Sequence, residues 1–164
     1  MLKRLLQGLA LIFAVLLVMI GGYFIYAYAQ YHRLPNDLAE APLNPKTNRV
    51  HLNQTYKMMT FNIGYGSYPP SFSFFMDGGK DVRATSKKAV QSAINEDIRL
   101  IKKENPDFGN IQEIDWNADR SQHVNEPQMV QDALLPYTTV LTQNYDSAYL
   151  FYPLTNPIGK AKSG

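Results

Sequence analysis

The chain has 164 residues, no cysteine, and 16 basic against 14 acidic side chains with three histidines, for a formal charge of +2. Lys3 and Arg4 account for that excess, and the remainder is balanced, so no basic stripe for tracking a nucleic-acid backbone is present. The lack of cysteine excludes a disulfide scaffold, a thiolate zinc site, a cysteine nucleophile and a lipid-modified cysteine anchor. Hydrophobic residues make up 45%, with 11 Tyr and 8 Phe, which implies a packed core and rules out an acidic disordered tail.

From Leu5 to Ala29 no charged residue occurs. At 1.5 Å per residue the run Leu9 to Ala29 reaches about 31 Å, the thickness of a bilayer's hydrocarbon core. Lys3 and Arg4 precede it and Tyr23, Tyr26, Tyr28 and Tyr31 crowd its far end. That arrangement predicts a single span with the N-terminus cytoplasmic and the rest outside the cell. A cleaved signal peptide is the competing reading, since Gly21-Gly22 could end a shorter apolar core and Ala27-Tyr28-Ala29 has the small-residue cleavage pattern. Either way the domain is exported, and residues 5–29 contact the lipid bilayer.

Residues 1–31 are thus read as tail and anchor, residues 32–55, rich in Pro and Asn, as an extended stalk, and residues 56–164 as the folded domain. Tyr56 to Asn62 reads as a strand stopped by Gly64, Gly66 and Pro69-Pro70. Between Thr85 and Glu104 the positions Ala89, Val90, Ala93, Ile94, Ile98 and Ile101 follow the helical period. Ser86 or Thr85 caps that helix and Asn105-Pro106 ends it. Asp107 to Ile114 reads as a second strand, giving a strand–helix–strand unit whose strands share one sheet. Gly109 is expected to cost packing inside a buried strand. Tyr137 to Thr142 and Ala148 to Leu154 are two further strand candidates.

Ligand sites in sheets of this type gather at the C-terminal ends of strands. Asn62 lies at the first such end, Gln112 and Glu113 at the second, with Asp115 just beyond. A strand-end carboxylate beside an amide suits a hard divalent cation that shares its coordination with substrate oxygens and water. A turn-forming Asn and a solvated Glu are the bland alternatives.

Met59-Thr60-Phe61-Asn62-Ile63-Gly64-Tyr65-Gly66, the helix, Asn105-Pro106-Asp107-Phe108 and Ile111-Gln112-Glu113-Ile114-Asp115 together resemble the endonuclease/exonuclease/phosphatase superfamily. The stretch Asp115 to Glu126 is similar to its membrane-anchored bacterial branch. The resemblance implies an α+β fold, a four-layer sandwich of two β-sheets flanked by helices. It also implies a Mg2+-dependent phosphoesterase or nuclease activity, with Mn2+ as the substitute ion. Glu113 would be a direct metal ligand, and Asn62 would support the metal and the attacking water. Gln112 would stand beside them, with Asp115, Ser121, His123 and Asn125 near the substrate rim; for His123 a surface-loop role is the stronger reading.

The family's Gly-Asp-x-Asn and Ser-Asp-His segments do not occur in this sequence, and Tyr56 to Gly164 supplies 109 residues where a complete domain is considerably longer. The expectation is therefore an N-terminal half, incomplete and inactive as this chain, with an unpaired sheet edge open to self-association. Its substrate would be a phosphate ester, with no sign of nucleic acid. The alternative is a non-catalytic surface module that uses the aromatic loop Tyr65 to Phe75 to contact lipid or sugar.

Overall fold

The computed structural model describes residues 1–47 and 49–164. Its contacts divide the chain into two units, Met1–Arg33 and Leu34–Gly164. The first is a single helix, α1 (Leu2–Ala29), with no buried residue along its length. It is long and apolar enough to cross a membrane or to act as a signal sequence.

The second unit is mixed α+β. Its dominant helix, α2 (Lys87–Glu104), forms because Val90, Ile94, Ile98 and Ile101 recur on one face, and all four are buried. Ser86 is the cap: in extended conformation it accepts a hydrogen bond from the Ala89 N–H at 3.1 Å. Lys102 and Lys103 occupy the last turn, and Asn105, left-handed at φ 42°, returns its N–H to Ile101 before Pro106. Ala89, expected on the buried side, is exposed.

Two parallel strands flank this helix in sequence. β1 (Met58–Asn62) pairs with β2 (Phe108–Gln112) in a register that sets Met58 beside Phe108 and Asn62 beside Gln112. Both expected strands are therefore present, the first shortened at its start and the second at both ends. The first three residues of β2 are exposed, and a Cβ on Gly109 would meet only the Met59 Cε, at 3.4 Å. The packing cost expected for Gly109 is consequently absent. Beyond β2 no further strand joins this sheet among the described residues, and a groove of about 450 Å3 runs between β2 and the segment containing Tyr137 and Val140.

A second sheet is antiparallel, in the order β3 (Asp115–Ala118), β5 (Ala161–Ser163), β4 (Tyr145–Asp146). A short helix, α3 (Glu126–Ala133), follows β3; Asn125 caps it, accepting from the Gln128 N–H, and Pro127 sits in its first turn. The two late segments expected as strands are not strands. Tyr137–Thr142 contributes one bridge, Thr139 to Leu43, and Ala148–Leu154 one, Leu150 to Gly159. Their Tyr, Thr and branched residues favour extended backbone, but a ladder needs a continuous partner, which neither has. The Leu43 bridge, with the Lys46 N–H on Thr138 Oγ1, also fixes part of the 32–55 segment to the domain.

The core gathers Ile63, Val90, Ile94, Ile98, Ile101, Ile114, Val124, Val130 and Leu134, joining β1, α2, β2 and α3. Gly66, at φ 54°, lets the loop after β1 lie against α2: a Cβ there would stand 2.9 Å from the Ile94 Cδ1 and 3.1 Å from a Val90 methyl. Gly66→Ala is therefore expected to destabilise the domain by about 1–3 kcal/mol through left-handed strain and overpacking. Urea unfolding followed by Trp116 fluorescence measures it, and an unchanged midpoint would show that the loop is not pressed on α2.

Candidate functional site

The C-terminal ends of β1 and β2 diverge into two strained turns. Gly64, Tyr65 and Gly66 all have positive φ, near 55°, and Glu113 leaves β2 at φ 59°. A non-glycine residue in that region costs about 1 kcal/mol or more and persists only where its surroundings hold it. Here they do. The Ile63 N–H donates to the Gln112 carbonyl at 3.0 Å, the Tyr65 N–H to the Glu113 carbonyl at 2.7 Å, and Ile114 exchanges two hydrogen bonds with Gly164. The Asn62 Oδ1 accepts the Gly64 N–H at 2.9 Å, closing the turn and fixing the carboxamide.

Asn62 and Glu113 line one open cavity of about 580 Å3. Tyr68, Pro69 and Pro70 form one wall, and Glu96 and Asp97 of α2 another. Burial pushes the Asp97 carboxyl up to about 6, and the neighbouring Glu96 charge adds to the effect. Gln112 turns elsewhere: its Nε2 donates to Thr60 Oγ1 and to the Asn110 carbonyl, and it lines the groove beside β2.

Behind the Tyr65 turn lies a buried ionic cluster. Asp115, with no exposed surface, takes two hydrogen bonds from Arg120, Nε to Oδ2 at 3.1 Å and Nη2 to Oδ1 at 3.0 Å. The Arg120 guanidinium also donates to Ser163 Oγ and stands 3.3 Å from the Tyr65 ring centroid. Glu126, equally buried, accepts the Asp115 N–H on Oε2 at 2.8 Å, while its Oε1 has no partner. Burial pushes this carboxyl up to about 8, opposed by the Asp115 N–H and assisted by the Asp115 charge.

The structure thus brings together Asn62 and Glu113 and adds Asp97, Glu96 and Tyr68, which sequence reasoning missed. Asp97 falls three residues after Ile94 and one before Ile98, an acid at the margin of an apolar stripe, and that spacing was a usable signal. The other proposed rim residues lie apart from the cavity lining. Asp115 and Ser121 are buried, Ser121 donating to the Ala118 carbonyl at 3.4 Å. His123 is exposed, its ring within 2.6 Å of Asn117 Oδ1 and 3.4 Å of Asp119 Oδ1. Asn125 caps α3.

Comparison with protein-family models, with curated proteins and with solved structures finds no match. The chemistry of the site is therefore read from its own residues. Among the described residues no three acidic or imidazole side chains converge to chelate an ion unaided. Glu113 and Asn62 line the same open cavity, and a carboxylate with an amide oxygen is the ligand type that a hard cation takes alongside water and substrate oxygens.

Glu126 makes stability depend on pH. Its folded-state affinity for a proton lies near 8 against an ordinary 4.5. The contribution is therefore whole below pH about 4.5 and is lost as pH rises through about 8. Wild type should lose on the order of 5 kcal/mol across that window. Glu126→Gln, which keeps an oxygen for the Asp115 N–H, should flatten the profile. Urea midpoints at pH 5 and pH 8.5 decide; equal wild-type midpoints would contradict a buried proton.

The Asp115–Arg120 pair gives a second test. Arg120→Met alone should cost about 3–5 kcal/mol, because it leaves an uncompensated buried carboxylate. The double variant Asp115→Leu/Arg120→Met should recover much of that loss. A double variant no better than the single would mean that the pair's hydrogen bonds, and not its charge balance, hold the site.

Proposed function

We propose that this chain carries the metal-holding corner of a membrane-anchored, extracytoplasmic phosphoesterase or nuclease-like protein of the endonuclease/exonuclease/phosphatase kind, with the four-layer sandwich as its complete architecture. The observation that supports this most is the meeting of Asn62 and Glu113, from the ends of two adjacent parallel strands, on one cavity. Strained backbone held at Glu113 and Tyr65 adds to it, since such strain concentrates at functional sites. Lys3 and Arg4 ahead of α1 favour a cytoplasmic N-terminus and an external domain.

In this reading Glu113 holds Mg2+ or Mn2+. When bound, the ion would supply charge for a phosphoryl oxygen. The Gly64 N–H fixes the Oδ1 of Asn62, leaving its Nδ2 donors for a phosphate ester or water. Asp97, which lines the same cavity and whose proton affinity is raised by burial, gives it a group able to exchange protons near neutral pH. The charge-balanced exported portion favours lipid or small-molecule phosphate esters over nucleic acid. The unpaired outer edge of β2 is the surface through which two chains would associate. A second reading, a non-catalytic binding module, draws on the unbroken series of ring contacts from Tyr65 through Tyr68, Phe72 and Phe74 to Phe75.

Mn2+ binding by the full chain in detergent, followed by the loss of free-ion paramagnetic signal, tests the proposal. Glu113→Gln should weaken binding at least about tenfold, and Lys88→Gln on exposed α2 should not. Hydrolysis of bis-p-nitrophenyl phosphate should be absent, because the family's later acid–base segments do not occur in this sequence. Binding indifferent to Glu113 would favour the binding module. Turnover lost in Glu113→Gln would show a self-sufficient catalyst.

A further inference from the structure

Two closed loops of the domain present apolar tips to solvent. In the first, Phe74 bridges Asp81, the Gly79 N–H donates to the Phe74 carbonyl, and the Lys80 and Asp81 N–H groups donate to the Ser73 carbonyl. Asp81 Oδ2 in turn accepts the Ser73 N–H at 2.7 Å. Met76, at the tip of this loop, is 71% exposed. In the second, Leu150 bridges Gly159, and the Ile158 N–H donates to the Tyr152 carbonyl. Tyr152 and Leu154 at that tip are 65% and 78% exposed. The rings of Phe75 and Tyr152 meet at 5.9 Å, so the two tips share one surface.

Singly exposed apolar side chains are ordinary, but here they are grouped on two internally hydrogen-bonded loops in contact with each other, an arrangement that an interface between water and hydrocarbon accepts. A loop that satisfies its own backbone groups can enter that interface without stranding them. Tyrosine, apolar in body and polar at its tip, partitions there. Asp77 and Asp81 outnumber Lys80 in the first loop, and the second loop carries no charge, so attraction to an anionic surface is not the driving force.

The tether identifies the occupant. Leu43 is pinned to the domain by its two hydrogen bonds with Thr139, at 2.7 and 3.0 Å, leaving residues 30–42 between α1 and that point. At about 3.5 Å per residue that stretch reaches no more than about 45 Å. A domain so tethered meets the lipid surface at a local concentration in the millimolar range, where a small apolar patch suffices for docking.

We infer that Met76, Tyr152 and Leu154 dock the domain onto the surface of the bilayer that α1 anchors it to, by insertion of apolar side chains. This rests on the anchor reading of α1 but not on metal binding or hydrolysis.

Because the chain has no cysteine, single labels can be placed without background. Met76→Cys, Leu154→Cys and, on the exposed face of α2, Asn95→Cys would each carry an environment-sensitive NBD fluorophore on the full chain in phosphatidylcholine nanodiscs. All three substitutions replace exposed side chains and should leave the fold intact, which circular dichroism verifies. Emission from positions 76 and 154 should shift to the blue and be quenched by nitroxide-bearing lipid, unaffected by high salt, whereas position 95 should do neither. Spectra at 76 and 154 matching that at 95 would overturn the proposal. A blue shift without lipid quenching would overturn it in favour of contact with a second protein copy. Quenching lost in high salt would overturn apolar insertion in favour of charge-driven adsorption. A chain that fails to co-elute with the nanodiscs would overturn the anchor and the docking together, and the Mn2+ result would stand apart from both.

Discussion

The Arg120 guanidinium is the point on which the domain's parts converge. Through its side chain it holds Asp115 at the start of β3, Ser163 at the end of β5 and the ring of Tyr65 in the turn after β1. Its backbone carbonyl accepts the Ala84 N–H at 2.8 Å and Ser67 Oγ at 3.2 Å, drawing in the segment before α2. A buried guanidinium is tolerable only with its charge matched and its donors occupied, so the position of each partner is constrained by the others. The two sheets, which share no ladder, are coupled through this residue and through the mutual hydrogen bonds of Ile114 and Gly164.

The same constraint explains the protonation of Glu126. Asp115 already balances Arg120, so a second buried carboxylate would carry an unmatched charge, and Glu126 keeps its proton instead. Its place at the start of α3 then ties that helix to β3 through the Asp115 N–H. Strain is distributed in a related manner. The left-handed residues Tyr65 and Glu113 are joined by a hydrogen bond, and each is fixed from outside, one by Arg120 and the other by its neighbours' pairing with Ile63 and Gly164. The candidate site is thus a rigid corner whose geometry is set from behind.

Much of the first half of the domain was legible in the sequence. Val90, Ile94, Ile98 and Ile101 announced α2, Ser86 and Asn105-Pro106 marked its ends, and the apolar runs on either side gave β1 and β2, because period and cap chemistry are local properties. The position of Asn62 and Glu113 at the strand ends was legible for the same reason: strand ends next to glycine or a polar pair can be seen without knowing what packs around them. α3 was overlooked although Asn125 and Pro127 are a recognisable helix start, since eight residues carry too little periodicity to stand out. The late segments misled in the opposite direction, being extended in composition yet without partners for a ladder.

By itself, then, the sequence determined the apolar N-terminal helix, the α2 scaffold, the parallel strand pair and the placing of Asn62 and Gln112 at the two strand ends, all of which follow from short-range spacing and side-chain chemistry. Only the tertiary structure decided that Asp115 serves Arg120, that Glu126 holds a proton, that Asp97 reaches the cavity of Glu113, and that the loops of Met76 and Leu154 meet on one surface. Those outcomes depend on burial and on contacts between residues far apart in the chain. Desolvation, which fixes what a charged or apolar side chain can do, is a property of the assembled fold and of no residue alone.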